Sequence, residues 1–236
     1  MENILYAAAA LGFIFLMTTL GAACVFFTGK CGNYRGLNGF SAGVMIAASF
    51  WSLLLPAIEL SEKLVQPEWL VLSSGVAVGS FFIAFPDLIA KKEKGESRVF
   101  RAVTLHNVPE GLSVGIAFGS GGVSVAAASG VALALGLPNL PAGLATALPF
   151  VKEKGRKKAF LLGTASGVVE PVFGVIGLLL AELITVIQPF ALAFSAGAMI
   201  YVCIRELIPD ACPEKAGRFA FFLGFVCMTL LDVAFG

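Results

Sequence analysis

Between Gly111 and Val151 the chain runs for 41 residues without one Asp, Glu, Lys or Arg. About 20 apolar residues in a helix, rising 1.5 Å each, cross the hydrocarbon core of a bilayer. A run of this length therefore holds two crossings, and Gly119-Ser120-Gly121-Gly122 supplies the turn between them. The same argument, applied from charge to charge, predicts eight spans. The first lies within Asn3–Gly29, the second within Gly36–Ile58 and the third within Trp69–Ala90, where only Asp87 interrupts. The fourth begins near Ala102 and the fifth ends at Val151. The sixth covers Ala159–Ala181, the seventh about Pro189–Ile208 and the eighth Phe219–Phe235. The expected fold class is an all-α membrane protein, with residues 1–236 forming a single transmembrane domain. With 58% apolar and 13% charged residues, an ordinary soluble domain and a disordered chain are both excluded. A net charge of +1 leaves no field for nucleic acid.

Positive charge collects in cytoplasmic loops. Lys30 and Arg35 follow span one; Lys91, Lys92, Lys94, Arg98 and Arg101 follow span three. Lys152, Lys154, Arg156, Lys157 and Lys158 follow span five, and Arg205, Lys215 and Arg218 lie at the junction of spans seven and eight. Only Lys63, of 16 basic residues, falls on the other side. This asymmetry predicts that both termini are extracytoplasmic in a multi-pass protein of the cell membrane, with the lipid bilayer as its solvent. The first stretch lacks a basic flank and is long enough to span, so it reads as a helix rather than a cleaved signal. Five cysteines, Cys24, Cys31, Cys203, Cys212 and Cys227, show no paired spacing and read as free thiols. The small-residue stretch from Gly121-Gly122 to Gly130 permits close packing without identifying an interface, which leaves a homodimer open.

An ionisable group near the bilayer centre costs about 2.5–3.5 kcal/mol even on the insertion scale, so each needs a reason. Asp87, Glu182, Glu206, Asp210 and Asp232 lie near predicted helix ends, within reach of water or headgroups. Glu110 and Glu170 do not. Counted from Arg101 and Lys158, they sit roughly 13 and 18 Å deep, near the midplane. His106 lies one turn before Glu110 on the same helix face, with Asn107 on its flank. An imidazole and a carboxylate so placed are the donors that a borderline metal such as Zn²⁺ prefers. Pro109 removes a backbone donor in the same turn, a break tolerated where it lines a cavity. The segment also repeats. His106–Phe118 aligns with Pro138–Phe150 at an offset of 32, matching at Asn, Pro, Gly, Leu and Phe. Two similar proline-broken helices of opposite direction point to a transporter's binding site. Asn139, roughly 19 Å from Lys152 along the helix, lies at the depth of Glu170.

His106-Asn107-Val108-Pro109-Glu110-Gly111 resembles the fourth-helix signature of the ZIP family of divalent metal transporters. Gly43 through Glu59 is similar to that family's second helix, and Gly167-Val168-Val169-Glu170-Pro171 to its sixth. The resemblance extends over essentially the whole chain. It implies an eight-helix bundle around a metal path, with Zn²⁺ foremost and Fe²⁺, Mn²⁺ or Cd²⁺ as related cargo entering the cytoplasm through a site on helices two, four, five and six. It also implies that His106 and Glu110 are metal ligands of the primary site. By the same resemblance Asn107 and Glu170 belong to the neighbouring site, joined by Asn139, and Met45 is a soft ligand on the entrance side. No prosthetic group is implied.

The chain departs from the family at two places. On helix five, Pro138 and Ala142 stand where a first ligand and a carboxylate are usual, so a full two-metal cage cannot form. On helix seven, Arg205-Glu206 replaces a His-Glu pair. Arg205 either pairs with Glu206 or Asp210 and weakens an exit-side site, or snorkels to the headgroups. Three readings follow: a one-metal path of relaxed selectivity, a regulatory or structural homologue without transport, or transport of a non-metal solute. A remote fourth is an intramembrane metal-dependent hydrolase; no H-E-x-x-H or G-x-S-x-G motif accompanies it.

Overall fold

The computed structural model describes residues 2–27, 34–89, 95–119 and 124–235. The side chains of His106, Asp87, Glu182 and Asp210, together with Cys31 and the expected turn at Ser120–Gly122, lie outside the described residues. Among the described residues every regular element is a helix. Span one is α1 (Glu2–Ala23). Span two is α2 (Tyr34–Ala48) and α3 (Leu55–Lys63), joined by a π-helical segment at Ser49–Leu54. Span three is α4 (Glu68–Ile89), span four α5 (Gly95–Gly119) and span five α6 (Val125–Ala147). Span six is α7 (Phe150–Gly167) with α8 (Val169–Ile184). Span seven is α9 (Gln188–Val202), a π-helical segment at Cys203–Leu207, and α10 (Ile208–Ala211). Span eight is α11 (Lys215–Phe235).

Seven of these spans are long and apolar enough to cross a bilayer among the described residues. The exception is α5. It is 25 residues long, but Glu96, Arg98, Arg101, His106 and Glu110 interrupt its apolar character. The least apolar span is thus the one that carries three of the six candidate ligands, His106, Asn107 and Glu110. The basic segment 152–158 is also helical rather than a simple loop. The chain turns within it at Gly155, whose φ of 76° lies in the left-handed region.

Helices in lipid gain no hydrophobic energy by meeting, so they associate through close van der Waals packing over small residues. Four pairs make the most extensive interfaces: α1 with α6, α5 with α8, α2 with α11, and α4 with α9. Each is built the same way. A Cβ added at Gly21 of α1 would overlap the Leu140 carbonyl of α6, and one at Gly143 the Thr18 carbonyl in return. Gly111 and Gly115 of α5 sit likewise against the carbonyls of Glu170 and Gly174 of α8. Gly43 meets the Phe221 carbonyl of α11, and Gly197 of α9 the Val76 carbonyl of α4.

Spans two and seven share a plan that the sequence reading did not find. Ala42-Gly43-Val44-Met45-Ile46 and Ala196-Gly197-Ala198-Met199-Ile200 differ at one position in five, at an offset of 154. Each glycine abuts a partner backbone, and each stretch leads into a π-helical segment followed by a proline, Pro56 or Pro209. The expected breaks at Pro109 and Pro138–Pro141, by contrast, do not unwind α5 or α6. A proline within a helix frees one carbonyl and bends the rod, and neighbouring helices hold the turns on either side.

The α5–α8 contact is backbone against backbone and has nowhere to yield. Gly115→Val is expected to lower the thermal midpoint of the detergent-purified protein by about 10 °C or to abolish its monodisperse peak. Gly12→Val, where an added Cβ meets nothing within 4 Å, should leave both unchanged.

Candidate metal centre

The two mid-span carboxylates meet through the glycine contact. Glu110 precedes Gly111 on α5, and Gly111 packs against the backbone of Glu170 itself. Both carboxylates are fully buried. They are near enough that, if both were ionised, their charges would repel one another. Glu170 sits two residues beyond the break in span six. Its Oε1 accepts a 2.6 Å hydrogen bond from Thr18 Oγ1 of α1, and its Oε2 is buried without a hydrogen-bond partner. Asn139 of α6 is buried with its amide close to the Glu170 carboxyl group. Orphaned polar atoms in a buried cluster are costly, at about 1–3 kcal/mol each, unless a ligand completes them.

Asn107 has a second duty. Its Nδ2 donates to the Ser166 carbonyl at 3.0 Å, beside the break where α7 ends at Gly167. That carbonyl lies where the helical ladder is interrupted, and the amide supplies its partner. With the nitrogen committed, Oδ1 is the atom left for a cation. Further along α5, Ser113 lies 3.2 Å from Ser195 of α9, whose own proton goes to the Ala191 carbonyl at 3.0 Å. Ser113 is therefore the donor that ties α5 to span seven.

Met45 is buried in α2 within the apolar core, its Sδ 4.0 Å from the Ser41 hydroxyl. On span seven, Arg205 Nε lies 3.9 Å from Glu206 Oε1, a pair with Arg205 half-exposed and Glu206 nearly buried. Asp232 of α11 accepts a 2.6 Å bond from Ser52 in the first π-helical segment. Cys24, Cys203, Cys212 and Cys227 are free thiols. Pro138 and Ala142 are buried in α6 and bring no donor atom to the cluster.

The structure thus unites Glu110, Glu170 and Asn139 across α5, α8 and α6, with Asn107 bracing the break beside them. Among the described residues, no group of three or more His, Cys, Asp and Glu side chains is placed to hold a metal ion. The donors added to the carboxylate pair are amides, which chemistry permits for oxygen-seeking divalent cations. Thr18 was not legible as a site residue in the sequence. Its one signal was a threonine pair, Thr18-Thr19, in an otherwise uncharged span.

Asn107→Ala should leave the Ser166 carbonyl buried and unpaired. The expected loss of about 1–3 kcal/mol would appear as a fall of roughly 3–10 °C in the thermal midpoint without metal.

A family model described as ZIP Zinc transporter matches residues 98–232, more than half of the chain. A protein named Zinc transporter ZIP11 from Bos taurus is 31% identical, over 93% of this chain and 94% of its own length. Zinc transporter GufA from Myxococcus xanthus is 31% identical over 93% and 94%. Zinc transporter ZupT from Chlorobium chlorochromatii (strain CaD3) is 32% identical over 99% and 97%. These matches cover the carboxylate helices and nearly all of the remaining chain, and on them the chain belongs to the ZIP family of metal transporters, as an all-α, multi-pass integral membrane protein.

Proposed function

We propose that this transporter moves Zn²⁺, and with relaxed preference Fe²⁺, Mn²⁺ or Cd²⁺, into the cytoplasm through one mid-membrane metal site. The observation that carries this reading is the buried pair of carboxyl groups, Glu110 and Glu170, brought together inside an apolar bundle. A divalent cation between them stabilises both groups as carboxylates and offsets the repulsion that their charges would otherwise exert. In this reading His106 and Glu110 are the primary ligands. Glu170, Asn139 and the Asn107 amide oxygen complete the site, and Met45 offers a soft sulfur on the path toward it. The names of the relatives, all zinc transporters, support Zn²⁺ as cargo.

Pro138 and Ala142 remove two donors from helix five, so the site holds one ion rather than two. A donor set rich in oxygen, with one imidazole, discriminates less sharply in favour of Zn²⁺ than a set rich in imidazole or thiolate. Inward direction is what the ZIP resemblance implies, and the basic asymmetry, with Lys152–Lys158 on the side expected to be cytoplasmic, supports an orientation with both termini outside. The activity is translocation without chemical turnover.

Purified protein in liposomes, given Zn²⁺, Cd²⁺, Mn²⁺ and Fe²⁺ in turn, should show saturable uptake. His106→Ala and Glu110→Gln should each reduce it at least tenfold. Uptake equal to that of empty liposomes for every ion would overturn the reading. Metal analysis of the purified chain should find one Zn²⁺ per protein, and Ala142→Glu, which returns a carboxylate to helix five, should raise that ratio toward two.

A further inference from the structure

We infer that Thr18 of α1 is a positioning residue that sets the ion selectivity of the site; the inference rests on the metal-site reading above. Three observations lead to it. The first is the allocation of one proton. Thr18 Oγ1 lies 2.6 Å from Glu170 Oε1 and 3.3 Å from the Ile14 carbonyl. A helical threonine ordinarily spends its proton on the carbonyl four residues back. Here the shorter contact with the carboxyl oxygen takes it, across 152 residues of sequence.

The second is the way Thr18 is held. Gly143 of α6 packs against its carbonyl, and Gly167, at the end of α7, faces its methyl group. Both neighbours lie close in sequence to the cluster, since Gly143 is four residues beyond Asn139 and Gly167 three before Glu170. Thr18 therefore stands where three spans converge, almost wholly buried. Its rotamer has little freedom to change.

The third is the state of the Glu170 carboxylate. Oε1 is held by the hydroxyl, while Oε2 is buried and makes no hydrogen bond of ordinary geometry, with the Asn139 amide the other polar group beside the carboxylate. A carboxylate held by one oxygen offers the other as a single ligand atom and resists closing both oxygens around one ion. Bidentate carboxylates suit large cations with many ligands, whereas small ions are met by single oxygens at short distance. Thr18 thus favours Zn²⁺ over Cd²⁺, an ion close to Ca²⁺ in size. It contributes this without touching the ion.

The test is the ratio of half-saturating concentrations for Zn²⁺ and Cd²⁺ uptake into liposomes, for the unaltered protein, Thr18→Val and Thr18→Ser. Thr18→Val keeps the shape and deletes the donor. It should raise the Zn²⁺ value about tenfold while the Cd²⁺ value rises less or falls. Thr18→Ser, which restores the hydroxyl, should return the ratio to that of the unaltered protein. A role in packing alone would alter both ions alike and would not be rescued by serine. Should Thr18→Val fail to yield folded protein, Thr18→Ala, which adds no atom against Gly167, carries the same comparison. An unchanged ratio in a protein that still takes up metal overturns the role of Thr18 and leaves the metal site standing. Absence of uptake by the unaltered protein overturns both.

Discussion

The approach of α5 to α8 through glycine is the contact on which the rest of this molecule depends. Two helices in hydrocarbon are surrounded by tails as apolar as their own side chains, so shape and short-range attraction must hold them together. Gly111 and Gly115 bring the α5 backbone against the carbonyls of Glu170 and Gly174. Because Gly111 adjoins Glu110, the packing that joins these two helices also sets their two carboxylates side by side. Structure and site are one arrangement here. A larger residue at position 111 would separate the helices and the charges together.

The same economy recurs in the backbone irregularities. The helical ladder is disturbed inside spans two, six and seven, by π-helical segments and by the break after Gly167. An irregular backbone in a membrane persists only where protein groups complete it. Asn107 does this for Ser166, and Ser52 of the first π-helical segment finds Asp232. Such irregularities concentrate at functional positions in helical proteins. Here one of them stands two residues from Glu170.

Much of this organisation was legible from charge spacing. The span boundaries follow from where a bilayer tolerates charge, and the described helices begin and end within about five residues of them, apart from the helical basic segment after span five and α5, which starts at Gly95 rather than near Ala102. The motif around His106 was legible because an imidazole, an amide and a carboxylate share one turn. The prolines of α5 and α6 suggested interrupted helices, whereas both helices run through them. Their neighbours hold both helices continuous. The repeat between spans two and seven escaped notice because only a short, apolar stretch carries it, and residues such as Ala, Gly and Ile recur throughout the chain.

By itself the sequence determined that this chain spans a membrane, which residues carry charge into it, and that helix five lacks two donor side chains. These are consequences of transfer free energy and of residue chemistry, both local. The tertiary structure decided which of the buried polar groups meet. Nothing in the spacing of residues 18, 107, 110, 139, 166 and 170 says that a threonine of span one reaches Glu170, or that an amide of span four completes a carbonyl of span six. Those partnerships depend on which helix faces lie together. In lipid that is settled by where glycine lets two backbones touch.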